Sequence, residues 1–335
     1  KIKNKKIGPG YPTFIIAEIG LNHNGNVINC IKLINQAKLA GADAVKIQVS
    51  TPEESYAKNT KSYKIFKKYS LNEKEILKLK KYADMKKIIF FFTAGDFKSL
   101  NLVRKLKMPA IKISSGLMTN TPLIKEASKI QVPMIISTGM CYKNEIIKTY
   151  KIAKKNNKCG LALLKCTSLY PAPDDTINIL AIKDFVKTFE IPIGYSDHTR
   201  GNLACLVAVS MGAKIIEKHF TLDKKQKGGD HKFSSEPKEL RTLVEDIRRT
   251  ESLMGKSKIK PHKKEIILRK KNFRSILAKE NIKKNEKLTL FNIALKRTLD
   301  HRNSLGPDFF YKVIGKKAKK NILADEKIFF SKIKK

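Results

Sequence analysis

The sequence predicts an α/β fold: a (β/α)8 barrel (TIM barrel) followed by a small β-rich C-terminal domain. Two observations predict the barrel and a third predicts the appended domain. Short β-rich apolar runs alternate with amphipathic helical stretches. Eight such strand–helix units fit in about 255 residues, the size of a (β/α)8 barrel. Beyond residue 270 the helix-length period disappears. The eight strand candidates, in chain order, are FIIAEIG (14–20), AVKIQV (44–49), IIFFFTA (88–94), AIKISS (110–115), PMIISTG (133–139), LALLKCT (161–167), PIGYSDH (192–198) and KIIEKHF (214–220), with one longer gap around residues 50–87. Helical stretches lie between them. In VINCIKLINQAKLAGA, residues Val27, Cys30, Ile31, Ile34 and Ala37 share one face. In EPKELRTLVEDIRRTESLMG the stripe is Leu240, Leu243, Val244, Ile247 and Met254, with Pro237 near the start and Gly255 at the end, as helix termini prefer. A doubly wound open sheet is the alternative, but no Gly-rich GxGxxG turn follows the first strand. Residues 1–255 are thus read as the barrel, the basic stretch 256–270 (KSKIKPHKKEIILRK) as a linker, and 271–335 as a small β-rich domain. A domain of that size sits below the range in which isolated cores are comfortable, so it is expected to lean on another surface.

The 335 residues are 41% apolar, enough for a packed core, and contain no apolar run of membrane-spanning length. The basic opening KIKNKKIGPG lacks the apolar segment of a secretory signal. The 5 cysteines form no CxxC pair, so neither a disulfide framework nor a zinc knuckle is expected, and a reducing cytoplasm fits. The net charge of +40 is carried mostly by Lys. Arg is the residue suited to bidentate reading of phosphates and bases, and the lysines are spread along the chain, so specific nucleic-acid binding is not expected. A field of this sign still attracts small anions.

In a (β/α)8 barrel the functional side chains gather at the C-terminal ends of the strands. Those ends carry Glu18; Lys46 with Gln48; Thr93; Lys112 with Ser114 and Ser115; Ser137 with Thr138; Thr167, Ser168 and Tyr170; Ser196, Asp197 and His198; and Glu217 with His219. Two lysines and several hydroxyls on one mouth suit a phosphate or carboxylate anion. Two imidazoles on neighbouring strands suit one divalent metal of the Mn, Fe, Co or Zn type. Each residue also has a plainer reading. A lone histidine at a strand end is more often a hydrogen-bonded core residue, and Ser or Thr there often caps the next helix. Cys166 reads as core, and His23 and His231 read as loop residues. Lys46 and Lys112 are harder to dismiss, because an unpaired buried ammonium is costly; Lys165 competes for the same role. The GGDH turn at 228–231 can carry Asp230 over the mouth.

The ordered set FIIAEIGLNHNG, GADAVKIQ, KISSG…TNTPLI, PMIISTGM, LLKCTSLYPAP, GYSDHTRG, IEKHFTLD and GGDHKFSSEP resembles the sialic acid synthase family, which includes N-acetylneuraminate, legionaminate and pseudaminate synthases. The resemblance covers residues 13 to about 255 and extends more faintly into a tail similar to the antifreeze-like (SAF) domain of these enzymes. It implies a metal-dependent condensation of phosphoenolpyruvate with the open-chain aldehyde of an N-acetylated amino sugar, either N-acetylmannosamine or a 6-deoxy-diacetamido analogue. The products are a nine-carbon 2-keto-3-deoxy acid and phosphate. By matched position, His198 and His219 hold the metal, most commonly Mn2+, with Mg2+ or Co2+ as alternatives. Lys46, Thr93, Lys112, Ser115, Ser137, Ser168, Tyr170 and Ser196 hold phosphoenolpyruvate. Glu18, with a catalytic role beside the two histidines, Gln48, Asp230 and Arg297 face the sugar. Arg297 implies a domain-swapped homodimer in which each tail lids the partner's barrel.

Three departures from the family pattern stand out. Leu117 occupies the place of an acidic residue, FTAGDF replaces the usual loop after the third strand while keeping Thr93 and Asp96, and KRTLDHRNSLGP keeps Arg297 without the adjacent Pro-Gly. Three readings follow: a metal-dependent synthase, a class I aldolase with a Schiff-base lysine (Lys46, Lys112 or Lys165), and a catalytically impaired or polyanion-binding relative.

Overall fold

The computed structural model describes residues 1–302 and 304–334. The chain divides into two compact units, Lys1–Gly255 and Lys256–Lys335. In the first unit, strands β1 (Phe14–Gly20), β2 (Ala44–Val49), β3 (Ile89–Ala94), β4 (Ile111–Ile113), β5 (Met134–Ser137), β6 (Leu161–Cys166), β7 (Ile193–Asp197) and β8 (Ile215–His219) pair in sequential order and in parallel, and β8 closes back on β1. Helix α1 (Val27–Leu39) links β1 to β2. The long stretch between β2 and β3 holds α2 (Pro52–Ser55), α3 (Lys61–Tyr69) and α4 (Glu73–Met85). Helices α5 (Phe97–Lys105), α6 (Thr121–Lys129), α7 (Lys143–Asn156), α8 (Ala181–Thr188) and α9 (Leu203–Ser210) follow β3 to β7, and α10 (Pro237–Met254) follows β8. This is the predicted (β/α)8 barrel.

The two-residue period of a strand sorts its side chains into two sets. Ile15, Ala17, Ile19, Val45, Ile47, Phe90 and Phe92 pack outward with helix residues such as Leu33, Ile34, Leu79, Leu243 and Ile247. The alternate set (Phe14, Ile16, Ala44, Ile89, Phe91, Ala110, Ile135, Ala162, Leu164 and Ile215) forms a second apolar cluster, joined by Ile2. It fills the lower barrel. Continuing the same phase toward the strand C-termini gives Glu18, Lys46, Gln48, Thr93, Lys112, Ser114, Ser137, Cys166, Ser196, His198, Glu217 and His219. The alternation that builds the apolar plug therefore aims these polar groups into the barrel above it.

The opposite phase has its own consequence. Lys165, Asp197 and Lys218 point away from the barrel interior. Lys218 Nζ donates to Asp197 Oδ2 at 2.6 Å and to the Thr199 carbonyl at 2.6 Å. Tyr195 Oη donates to Asp197 Oδ1 at 3.1 Å, as does the Thr199 amide at 2.9 Å. This network, behind the ends of β7 and β8, is almost entirely shielded from water.

The stripe expected on α10 is mostly correct: Leu240, Leu243 and Ile247 are buried and Val244 is partly so, but Met254 is half exposed because it lies in the last turn.

The second unit corrects the expected linker. Residues 263–272 form helix α11 (Lys263–Asn272) within the second unit. The His262 side chain accepts from the Lys264 amide at 3.3 Å, Glu265 lies in the first turn and Arg269 to Lys271 in the last, a charge order that complements the helix dipole. The helix buries no residue, so it leaves no apolar period to read. Beyond it, β9 (Arg274–Ala278) pairs antiparallel with β10 (Ile293–Arg297), and α12 (Phe310–Val313) follows. Ile276, Ile282, Leu288, Ile293, Val313, Ile322 and Ile328 form a core of their own.

Candidate active site

At the C-terminal end of the barrel a cavity is lined by Glu18, Lys46, Gln48, Thr93, Lys112, Ser114, Ser115, Ser137, Cys166, Tyr170, Ser196, His198, Glu217 and His219. Every strand from β1 to β8 contributes a side chain at or just beyond its end. Lys46 is ion-paired with Glu18 and donates to Thr93 Oγ1 at 2.9 Å. Lys112 donates to Ser137 Oγ at 2.7 Å and lies 3.3 Å from Glu217 Oε1. Glu217 also accepts from Ser196 Oγ at 2.9 Å and has Lys46 at 3.8 Å. All four charged groups are about 95% or more shielded from water. Two ammonium groups and two carboxylates thus alternate across the barrel.

Burial acts on them unequally. It pushes Glu18 up to about 7, against the opposing pull of Lys46. Burial also raises Glu217, but the ammonium groups of Lys112 and Lys46 outweigh it and the net direction is down. Burial lowers Lys112. Glu217 is therefore the settled anion of the cluster and Glu18 the carboxylate that exchanges a proton near neutral pH.

The two imidazoles lie with ring centroids 5.3 Å apart. His198 Nδ1 lies 2.7 Å from the Thr167 carbonyl, to which a protonated Nδ1 donates, leaving Nε2 as the lone-pair nitrogen. His219 Nδ1 is buried without a protein partner, and burial lowers this histidine well below its ordinary value, so the ring is neutral. Asp230 Oδ2 stands 3.5 Å from that nitrogen. An orphaned nitrogen, a fixed tautomer and a nearby carboxylate fit a divalent cation whose remaining positions stay open. No group of three or more His, Cys, Asp or Glu side chains is arranged around one point among the described residues.

Backbone turns hold this arrangement together. The Gly139 amide donates to Ser115 Oγ at 2.9 Å, and a Cβ at Gly139 would press on the hydroxyls of Ser168 and Ser115, so glycine here leaves both hydroxyls in place. Asn22 carries Asp230 to the mouth: its Oδ1 accepts from the Asp230 amide at 2.7 Å, and its Nδ2 donates to the Phe220 carbonyl and to Ser234 Oγ, each at 2.9 Å. Gly229, at φ +52°, passes so close that a Cβ would lie 2.5 Å from Asn22 Oδ1. His231 braces the same loop, its Nδ1 2.7 Å from Thr221 Oγ1.

Of the residues expected at the site, Glu18, Lys46, Gln48, Thr93, Lys112, Ser115, Ser137, Tyr170, Ser196, His198 and His219 line this one cavity. Ser168 lines an adjoining one, and Asp230 reaches His219. Arg297 is an exposed residue at the end of β10 in the second unit. Three expectations change. Cys166, read as core, lines the cavity with its Sγ 3.8 Å from His198 Nδ1. Lys165 turns outward and donates to Thr167 Oγ1 at 2.8 Å and to the Ile177 carbonyl, which leaves Lys46 and Lys112 as the only lysines lining the cavity among the described residues. Glu217 belongs with the site residues. Its two-residue offset from His219 was the signal that places it on the same face.

The comparisons with known proteins agree with this geometry. Residues 33–259 match the NeuB family. The chain belongs to the NeuB family. An uncharacterized protein of Methanocaldococcus jannaschii is 44% identical over 89% of this chain and 88% of its own length. The N,N'-diacetyllegionaminic acid synthase of Campylobacter jejuni is 37% identical over 94% of this chain and 98% of its own. Among solved structures, the N-acetylneuraminic acid synthetase of Leptospira borgpetersenii, bound to citrate, superposes with a TM-score of 0.77 at 37% identity, covering 80% of this chain and 95% of that one. This NeuB-family chain is a sialic acid synthase-like enzyme.

Proposed function

We propose that the chain condenses phosphoenolpyruvate with the open-chain aldehyde of an N-acetylated amino sugar, giving a nine-carbon 2-keto-3-deoxy acid and phosphate. The observation that carries this reading is the convergence of Lys46 and Lys112 with His198 and His219 on one shielded cavity. The names of the relatives, sialic and legionaminic acid synthases, support it. The ammonium groups suit a compact, multiply charged enol phosphate, and Thr93, Ser115, Ser137, Ser168, Ser196 and Tyr170 orient it. Gln48, Asp230 and Glu18 face the sugar.

In the reaction, C3 of phosphoenolpyruvate bonds to the aldehyde carbon. The aldehyde oxygen takes a proton, water adds at C2, and the tetrahedral centre loses phosphate by C–O cleavage while the water's second proton returns to the site. Glu18 is the group we assign to these proton movements, since Leu117 stands where related enzymes carry an acid. A divalent cation held by His198 and His219, Mn2+ in our reading, supplies Lewis-acid polarisation of the aldehyde when bound. Asp230 and the fixed His198 tautomer orient the ligands around it. Five unpaired cysteines fit a cytoplasmic enzyme, and no helix among the described residues is long and apolar enough to cross a membrane. We further propose that residues 271–335 are an antifreeze-like domain that places Arg297 at the partner's sugar in a homodimer. Light scattering for mass, with Arg297→Ala raising KM for the sugar alone, tests that assignment.

The deciding assay is phosphate release from phosphoenolpyruvate with Mn2+ and a panel of amino sugars. Sugar-dependent release that a chelator abolishes and Mn2+ restores is the expected result. A second reading, a class I aldolase, draws on the burial that lowers Lys112. Borohydride inactivation in the presence of pyruvate, with chelator-insensitive activity, favours that reading instead. Running Leu117→Glu alongside tests whether the missing acid limits turnover. No release with any sugar or metal rejects the proposal.

A further inference from the structure

Beside the charged cavity lies a wider one of about 480 Å3, between the α2–α3 excursion and the turn after β4. The two share Gln48, Thr93, Ser114, Ser115 and Tyr170, so a ligand whose reacting carbon sits over the lysines extends its remaining carbons into the wider space. The chemistry changes sharply across that boundary. No Lys, Arg, His, Asp or Glu lines the wider cavity among the described residues, in a chain of net charge +40. Its apolar wall is Tyr56 and Phe66, stacked with ring centroids 5.1 Å apart, together with Leu117 and Met140. Gln48 and Ser115 bring an amide and a hydroxyl to the same lining.

We infer that this cavity selects a neutral 6-deoxy sugar bearing two N-acetyl groups over the 6-phosphate of a singly N-acetylated one. The inference rests on the proposed condensation and goes further by naming the acceptor. Acetamido methyls and a C6 methyl match the apolar wall, and their amide groups match Gln48 and the hydroxyls. A C6 phosphate would enter the same space with no cation among its described lining residues to receive it, the Arg297 proposed above being assigned to an N-acyl group, and a buried charge without a partner is strongly disfavoured. Leu117 then has a positive role. It keeps charge out of the wall, where an acidic residue would bring it in.

The test measures kcat/KM on the full-length enzyme with phosphoenolpyruvate and Mn2+ for three acceptors: 2,4-diacetamido-2,4,6-trideoxymannose, N-acetylmannosamine and N-acetylmannosamine 6-phosphate. The deoxy sugar should exceed N-acetylmannosamine by roughly tenfold, and the 6-phosphate should fall roughly a hundredfold below the deoxy sugar. Leu117→Arg, which offers a phosphate a bidentate partner, should shrink the second gap and lower use of the deoxy sugar. Turnover with the 6-phosphate equal to or above the deoxy sugar overturns the inference while leaving the condensation standing. Unchanged preference in a folded Leu117→Arg enzyme overturns it as well. If that variant does not fold, the wild-type ranking alone decides. Absence of phosphate release with all three acceptors rejects the condensation itself, and this inference with it.

Discussion

Glu217 shows how closely the charges in the barrel depend on one another. It holds Lys112 at 3.3 Å and accepts from Ser196. Replacing Lys112 with Met leaves a buried carboxylate without its main partner and should cost about 3–5 kcal/mol in denaturant unfolding. The double variant Lys112→Met with Glu217→Leu should recover most of that stability and stay inactive. This outcome separates a binding role for the lysine from a structural one. His23 gives the pH prediction. Its Nδ1 accepts from the Gly25 amide at 3.0 Å, its Nε2 is buried without a partner, and burial lowers it from 6.5 to about 4. The unfolded chain therefore binds more protons than the folded one below pH 6.5, and stability is lost as pH falls from 6.5 toward 4, by about 3 kcal/mol for this group. His23→Asn keeps an acceptor for Gly25 and cannot charge. The wild-type minus variant difference in unfolding free energy should grow across that window as pH rises, and a flat difference contradicts the assignment. At this scale the sequence was informative wherever the two-residue phase applied. Lys46, Lys112, His198 and His219 were legible as strand-end groups. The outward turn of Lys165 and the inward one of Cys166 follow from the same alternation but were obscured by the apolar residues around both.

At the scale of elements, the strands were readable because each is a short apolar run, although the tails at 114–115, 138–139 and 198 continue as turns. Their hydroxyl and imidazole side chains leave the ladder to reach the site. Helices α2 and α3 were not legible: α2 is a single turn, and α3 is a short, lysine-rich segment that buries no residue fully. Asp96 holds α2: it caps α5 through the Ser99 amide at 2.8 Å and accepts from Ser50 Oγ at 3.2 Å and Ser55 Oγ at 3.0 Å. Asp96→Ala should cost about 1–3 kcal/mol of stability. It should raise KM for the sugar more than KM for phosphoenolpyruvate, since the loop it anchors walls the wider cavity. Equal effects on both KM values would show that Asp96 only supports folding. The Lys218–Asp197 pair makes the matching case behind β7 and β8. Lys218→Met should destabilise by about 3–5 kcal/mol and weaken Mn2+ affinity, measured by titration, although neither residue faces the cavity.

Over the whole molecule, the charge of +40 and the barrel mouth act together. A broadly positive surface raises the local concentration of an anionic substrate, so kcat/KM for phosphoenolpyruvate should fall as ionic strength rises, with a shallower dependence for a neutral sugar. The barrel was legible because eight repeats of one pattern constrain the topology far more than any single segment does. The end of the first unit at Gly255 was legible from the Pro237 and Gly255 signals at the two ends of α10, whereas α11 was hidden by a run of charge that resembles a linker. The central claim is that the paired cavities unite an enol phosphate and an amino sugar with departure of phosphate by C–O cleavage. The most direct measurement uses phosphoenolpyruvate labelled with 18O at the bridging oxygen, Mn2+ and the diacetamido-deoxy sugar, with mass analysis of both products. The label should leave in the phosphate, and only when sugar is present. Label retained in the keto acid, or released without sugar, would contradict the account.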